Sequence, residues 1–382
     1  MSSDDRMPQI GETHGAEMTS VALIAGLLAL LVLAGCGSGS TSSNRSGGGP
    51  VAASIAGTIA VGTAPSAIVV DSAANKIYVT DFGTRPTGIP CSQSGADLEV
   101  IDGGTQSTTS VGFSPASPAT PTAAALNPAE HALYVQAGVY WNGIQRRDQC
   151  GPFGGAAEVF DTASLQPPAG YHMAGLGAGI AVNPVVGNIY TTLGGVGSGD
   201  VSVHDINWQP VVVIPVGSVP IGVAVDATSN KIYVANSGRN NISVIDGSSN
   251  TVVATVTDPN AIAPVAVAVN TTTNTIYVVN SQSNNLSVID GATNSVTATI
   301  PVGTSPSGVA VDSQTNFIYV ANVGNSGDPG NVTVINGATN ATTTLADPNA
   351  KNPVAVAANS VTNKIYVANS GSNNVTVIDG AQ

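Results

Sequence analysis

The stretch SGVAVDSQTNFIYVAN (307–322), with its continuation NVTVINGATNATTTLA (331–346), decides the fold. Short runs of β-branched and apolar residues alternate with clusters of Asp, Asn, Gly, Ser and Thr. Such runs read as short strands joined by tight turns. Four strands follow, A to D: Ser307–Asp312, Phe317–Asn322, Asn331–Asn336 and Ala341–Ala346. Between A and B the pattern Asp312-x-x-x-Asn316 supplies its own turn chemistry. An Asp or Asn side chain starts the turn by accepting backbone N–H groups, and Asn tolerates the left-handed conformation that ends it.

Working outward, the same unit recurs. The strand-B phrase stands at Ile77-Tyr78-Val79, Leu133-Tyr134-Val135, Ile189-Tyr190-Thr191, Ile232-Tyr233-Val234, Ile276-Tyr277-Val278, Ile318-Tyr319-Val320 and Ile365-Tyr366-Val367. A strand-C phrase follows each, from Val100-Ile101-Asp102 to Val377-Ile378-Asp379. The A–B turn pair repeats at Asp71/Asn75, Asp226/Asn230, Asn270/Asn274 and Asn359/Asn363, with Gly187 and His131 at the closing position in repeats three and two. In five repeats the C–D turn carries Asp-Gly or Asn-Gly, the dipeptide of two-residue hairpins. Strand A is built from small residues, as an innermost strand must be where blades converge on an axis. Strand B carries the large Ile and Tyr, expected between facing sheets.

Seven units of four strands predict an all-β chain folded as a seven-bladed β-propeller over residues 51–382. The seventh unit ends at Gln382 with no strand D, while Ile55–Gly62 (IAGTIAVG) resembles the strand-D exit Thr297–Gly303 (TATIPVG) of repeat five. The N-terminal strand is therefore expected to complete the last blade and close the ring.

These phrases resemble the YVTN family of propeller repeats, through Tyr-Val-Ala-Asn at 233–236, 319–322 and 366–369, Tyr-Val-Val-Asn at 277–280 and Tyr-Val-Thr-Asp at 78–81. Repeats two and three have drifted, to Tyr-Val-Gln-Ala (134–137) and Tyr-Thr-Thr-Leu (190–193). The resemblance implies surface or adhesive roles. Ahead of the repeats, residues 21–33 (VALIAGLLALLVL) form an apolar run shorter than the ~20 residues of a spanning helix and typical of a signal-peptide core. The run leads into Leu33-Ala34-Gly35-Cys36, which resembles the bacterial lipobox. That resemblance implies a signal peptide over 1–35, lipid on Cys36, and a Gly/Ser-rich tether over 37–50. Gly37 after the cysteine favours the outer membrane or the cell surface over the inner membrane. The first twenty residues depart from the pattern by carrying Asp4, Asp5, Glu12 and Glu17 against Arg6, which Met18 as the true start would remove.

Charged residues make up only 9% of the chain and the net charge is −13, from 10 Lys plus Arg against 23 acids. Many acids sit at repeated turn positions such as Asp71, Asp226 and Asp312, so the acidity is mostly turn chemistry. A nucleic-acid partner, which needs a basic footprint, is not expected. Cys91 and Cys150 lie in the long B–C connections of repeats one and two, side by side on one face of a propeller. In an oxidising compartment they are expected to form a disulfide. The same connections hold Tyr140, Trp141, Arg146 and Arg147, residue types enriched in binding hot spots. With His172, placed in the D–A region of repeat three, they form the candidate binding set. No metal-ligand spacing, cofactor motif or catalytic constellation is visible, so the expectation is a monomeric, non-catalytic binding or scaffold lipoprotein that meets a protein or glycan. The alternative is a lactonase- or lyase-like enzyme acting at the axial mouth, which convergent acids or histidines there would favour.

Overall fold

The structure is a computed structural model, and it describes residues 51–83, 97–113, 121–137, 155–165, 172–174, 177–195 and 198–382. Seven four-stranded antiparallel sheets make up the β-propeller. Blade four runs Pro220–Asp226, Lys231–Asn236, Asn241–Asp246 and Thr251–Thr257 as strands A to D. Blade seven takes A to C from Pro353–Asn359, Lys364–Asn369 and Asn374–Asp379, and D from Ser54–Ala60. The ring thus closes by the expected route. Blade six matches its sequence reading within a residue or so: strand A begins at Pro306 and strand D spans Thr342–Leu345.

The closing strand pairs with strand C of blade seven from Ser54↔Asp379 to Ala60↔Asn374. Backbone bonds beyond the ladder extend the junction: Val51 and Gln382 exchange N–H···O bonds of 3.0 Å, and Val61 N–H donates to Asn373. Side chains tie blade seven to blade one as well, since Asn359 Nδ2 donates to Asn75 Oδ1 at 2.9 Å. The same link joins blade three to four (Asn183 to Asn230, 2.6 Å) and five to six (Asn270 to Asn316, 2.8 Å).

Packing follows the size gradient read from the sequence. Every strand-A residue of blades four to seven is buried. The seven strand-B tyrosines are at most 2% exposed. Burying a side chain of this size is worth roughly 1.5–3 kcal/mol. Two of these phenols reach the next blade: Tyr190 Oη donates to Asn250 Oδ1, and Tyr319 Oη accepts the Ala381 N–H, both at 2.8 Å. In blade two Tyr134 instead stacks on Trp208 of blade three, which in turn stacks on His204.

The turns show why Asp and Asn recur. At the A–B turn Asp71 Oδ1 accepts the N–H groups of Ala73 and Ala74 at 3.0 and 2.9 Å. Asn75, Asn230, Asn274, Asn316 and Asn363 then take left-handed φ of 52–57°. Gly187 (69°) and His131 (53°) do the same in repeats three and two.

The C–D turn differs from the two-residue hairpin expected of Asp-Gly. It is a longer copy of the A–B turn: Asp290 Oδ1 accepts from Ala292 and Thr293, and Asn294, not Gly291, is left-handed, at φ 53°. The glycine serves another purpose. A Cβ at Gly103, Gly247, Gly291, Gly337 or Gly380 would overlap the Asn that ends the same blade's A–B turn. In these five blades the two turns press against each other, and a side chain between them would displace the Asn. Gly291→Ala should therefore cost about 1–3 kcal/mol through overpacking, measured by urea unfolding. Deleting residues 51–60 should abolish cooperative unfolding altogether, and a deletion variant that melts like the parent would contradict the closure.

Candidate functional site

One face of the ring collects the B–C and D–A connections, and the chain is organised there by a small polar clamp. In blade five the last residue of strand B, Asn280, lies directly opposite Asn285, the first of strand C. Its Nδ2 donates to Asn285 Oδ1 at 2.8 Å and to Ser287 Oγ at 2.9 Å. Blades four, six and seven repeat this, with Asn236 on Asn241 and Ser243, Asn322 on Asn331 and Thr333, and Asn369 on Asn374 and Thr376. The Asn of Tyr-Val-x-Asn is thus the donor, and the Asn-x-Ser/Thr of strand C supplies both acceptors. An unpaired buried amide would cost about 1–3 kcal/mol, which is the physical demand that couples the two phrases.

Each clamp is covered by the D–A connection arriving from the preceding blade, in one of two ways. In Val-Gly connections the glycine lies directly on the clamp: a Cβ on Gly217 would come within 2.6 Å of Asn236, and one on Gly303 within 2.6 Å of Asn322. In Asp-Pro-Asn connections the aspartate reaches in. Asp258 Oδ2 accepts from Ser287 Oγ (2.6 Å) and Thr299 Oγ1 (2.8 Å), and Asp347 Oδ2 accepts from Thr376 Oγ1 at 2.6 Å. Burial pulls the Asp258 carboxyl upward, but hydrogen bonds from Ser287, Asn260 and Thr299 outweigh it and leave the group below the usual carboxylate range.

Blade one breaks the pattern. Its strand B is Lys76–Asp81 and its strand C is Asp97–Asp102. Asp81 stands where blades four to seven place the Asn donor, and Asp97 and Glu99 stand at the two acceptor positions. Asp81 is fully buried, and among the described residues no side chain donates to either carboxyl oxygen. Gly62, two residues past the closing strand, packs on it so tightly that a Cβ would overlap the carboxyl. Burial first, then the charges of Glu99 and Asp97, push Asp81 up to about 8, while the Gly62 N–H opposes the shift. Glu99 is raised too, by burial, with a hydrogen bond from Ser110 acting against it and Asp97 adding to it. Blade two places Glu158, 1% exposed, at the position of Glu99. The repeat phrase Tyr-Val-Thr-Asp marks the first departure in the sequence, but sequence reasoning did not assign it a role.

Nearer the axis the mouth is laced by small residues. Ser66 Oγ donates to Pro121 O of blade two at 2.9 Å, and Ser307 Oγ to Val354 O of blade seven at 2.9 Å. Gly222 and Gly308 let strand A touch the backbone of the next blade. Among the described residues no three His, Cys, Asp or Glu side chains are grouped so as to hold a metal ion.

Of the candidate residues read from sequence, Cys36, Cys91, Tyr140, Trp141, Arg146, Arg147 and Cys150 lie outside the described residues. His172 is placed, and its location differs from the expectation. It opens the outermost strand of blade two (His172–Ala174) and pairs with Ala157, so it belongs to strand D of that blade and not to a D–A connection of blade three. The stretch before it in the sequence carries no repeat phrase, so periodicity does not reveal the strand.

With this geometry in view, no family model and no curated protein matches the chain. A solved structure does: hydrazine synthase of Kuenenia stuttgartiensis matches with a TM-score of 0.64 and 20% identity, over 82% of this chain and 95% of that one. The likeness is one of fold. Asn280→Ala, which strips a clamp of its donor, should destabilise the ring by about 1–3 kcal/mol, read as a lower urea midpoint with unchanged slope.

Proposed function

We propose that this chain is a YVTN-type propeller exported as a lipoprotein, anchored through Cys36 on the tether 37–50, and that its B–C face is a non-catalytic binding or scaffold surface. The observation that carries the reading is the build of that face. The axial mouth is formed by buried Pro, Ser, Thr, Ala and Gly that bond to one another across blades. The acids Asp81, Asp97 and Glu99 share a single blade. Long connections of blades one and two (82–96 and 138–154) leave from the same face, between Asp81 and Asp97 and between Ala137 and Gly155. Binding residues commonly ride on loops held by a rigid scaffold.

On this reading a Cys91–Cys150 disulfide joins the two connections, and Tyr140, Trp141, Arg146 and Arg147 present the aromatic and cationic contacts for a protein or glycan at the outer membrane or cell surface. The propeller acts as a monomer, with the lipid as its sole membrane attachment. No helix among the described residues is long and apolar enough to cross a membrane.

Two measurements test the proposal. Palmitate should label the wild-type chain in its bacterial host and fail to label Cys36→Ala, and equal labelling removes the anchor. In pull-downs from envelope extract, Trp141→Ala/Arg147→Ala should lose at least tenfold of any captured protein or glycan relative to wild type. Equal recovery of every captured species would remove the binding surface from these connections.

A further inference from the structure

The structure assigns to Asp81 a proton-binding role: we propose that a proton shared with Asp97 and Glu99 replaces the Asn amide of the repeat clamp and latches the seam between blades seven and one.

The reasoning begins with register. In blades four to seven the clamp is a donor facing two acceptors, and its geometry recurs within a tenth of an ångström, with Nδ2 at 2.8–2.9 Å from each acceptor. Blade one keeps the backbone and changes all three side chains. Thr80↔Leu98 and Val79↔Glu99 pair in the ladder, so Asp81 comes opposite Asp97 as Asn280 comes opposite Asn285. Three carboxylates therefore occupy a site built for one donor and two acceptors. Ionised, they have acceptors only. A protonated Asp81 restores the missing donor at the position of the amide nitrogen.

Among the described residues no cation acts on Asp81. Strand C offers Asp97 and Glu99, and strand D of blade one (Thr108–Gly112) offers the uncharged Ser110. In strand A (Pro65–Asp71) the charged residue is Asp71, at the far end. The hand-over residues Val61–Ala64 and strand A of blade two (Pro121–Asn127) carry no charge. Arg85, in the following connection, lies outside the described residues. Among the described residues the buried Asp81 carboxyl meets the Gly62 N–H but no side-chain donor and no counter-charge, an arrangement that disfavours an ionised carboxylate.

The position gives the proton leverage. Gly62 connects the ring-closing strand to blade one and lies on the Asp81 carboxyl. Asp81 and Asp97 are also the two roots of the 82–96 connection. Losing the proton places like charges at the seam and at both roots of that connection together.

The sign follows from linkage. With Asp81 pushed up to about 8, the folded chain keeps a proton that an unfolded Asp loses near pH ~3.9. The stability it contributes is complete below about pH 4 and is lost as pH rises towards about 8, after which the profile levels. The difference between variants is the quantity to read.

Thermal melting of the full-length chain, wild type against Asp81→Asn, should be followed from pH 5 to pH 9. Asp81→Asn restores the repeat residue. It should melt higher than wild type by at least about 3 °C at pH 8, with the gap closing towards pH 5. Superimposed profiles, or a variant less stable at pH 8, would overturn the proposal. Should that variant fail to fold, Glu99→Ser, the residue of blades four and five, should flatten the wild-type profile between pH 5 and 8, and an unchanged profile would count against the latch. Calcium chloride added at pH 8 separates the remaining reading. Stabilisation of wild type but not of Asp81→Asn would make the pocket a cation site and refute the proton.

Discussion

The structure depends on one ladder, that of Ser54–Ala60 against Asn374–Asp379. A four-stranded blade cannot bury both of its faces alone. It needs a neighbour on each side, and in a row of seven the two end blades would each lack one. Pairing the first strand with the last sheet supplies both missing neighbours in a single contact. The buried strand A and the Tyr layer of every blade are then covered equally. The contact is also the most non-local one in the chain, joining its two described ends, so its loop-closure cost falls late in folding.

Within the ring, neighbouring blades are locked by two polar systems at opposite ends of the strands. On the turn face, Asn side chains bridge from strand A of one blade to the A–B turn of the next in three places, including the seam. On the loop face, the clamp inside each of blades four to seven is roofed by the connection from the blade before it. Both systems rest mainly on uncharged amides and hydroxyls, with Asp258 and Asp347 as added acceptors on the loop face. This explains how so little charge suffices for a chain of this size, and why most of its aspartates serve as acceptors for turn N–H groups. Blade one stands apart because acids fill its clamp where the ring is joined.

Much of this was legible in the sequence because the repeat writes each constraint seven times. Asn75, Asn230, Asn274, Asn316 and Asn363 announced left-handed turn positions, and the missing last strand announced the closure. The C–D glycines were legible as turn residues but for the wrong reason. Their need for no side chain comes from the facing A–B turn, a tertiary contact that a dipeptide rule cannot contain. Asp81 was visible as a departure from Tyr-Val-x-Asn. Its meaning required the register that sets it against Asp97 and Glu99. His172 was misplaced because the strand it opens is short and follows a segment without periodicity. The residues assigned to binding lie where the repeat is interrupted, and repetition carries no information there.

Native-state hydrogen exchange on the closing strand tests the central claim most directly. If the ladder holds the ring together, the amides of Ser54–Ala60 that bond to Asn374–Asp379 should exchange only through global unfolding, with the same free energy as the core amides of blade five. Exchange of the closing strand through local fraying, while blades four to six stay protected, would show a ring that stands without its clasp and would contradict the account.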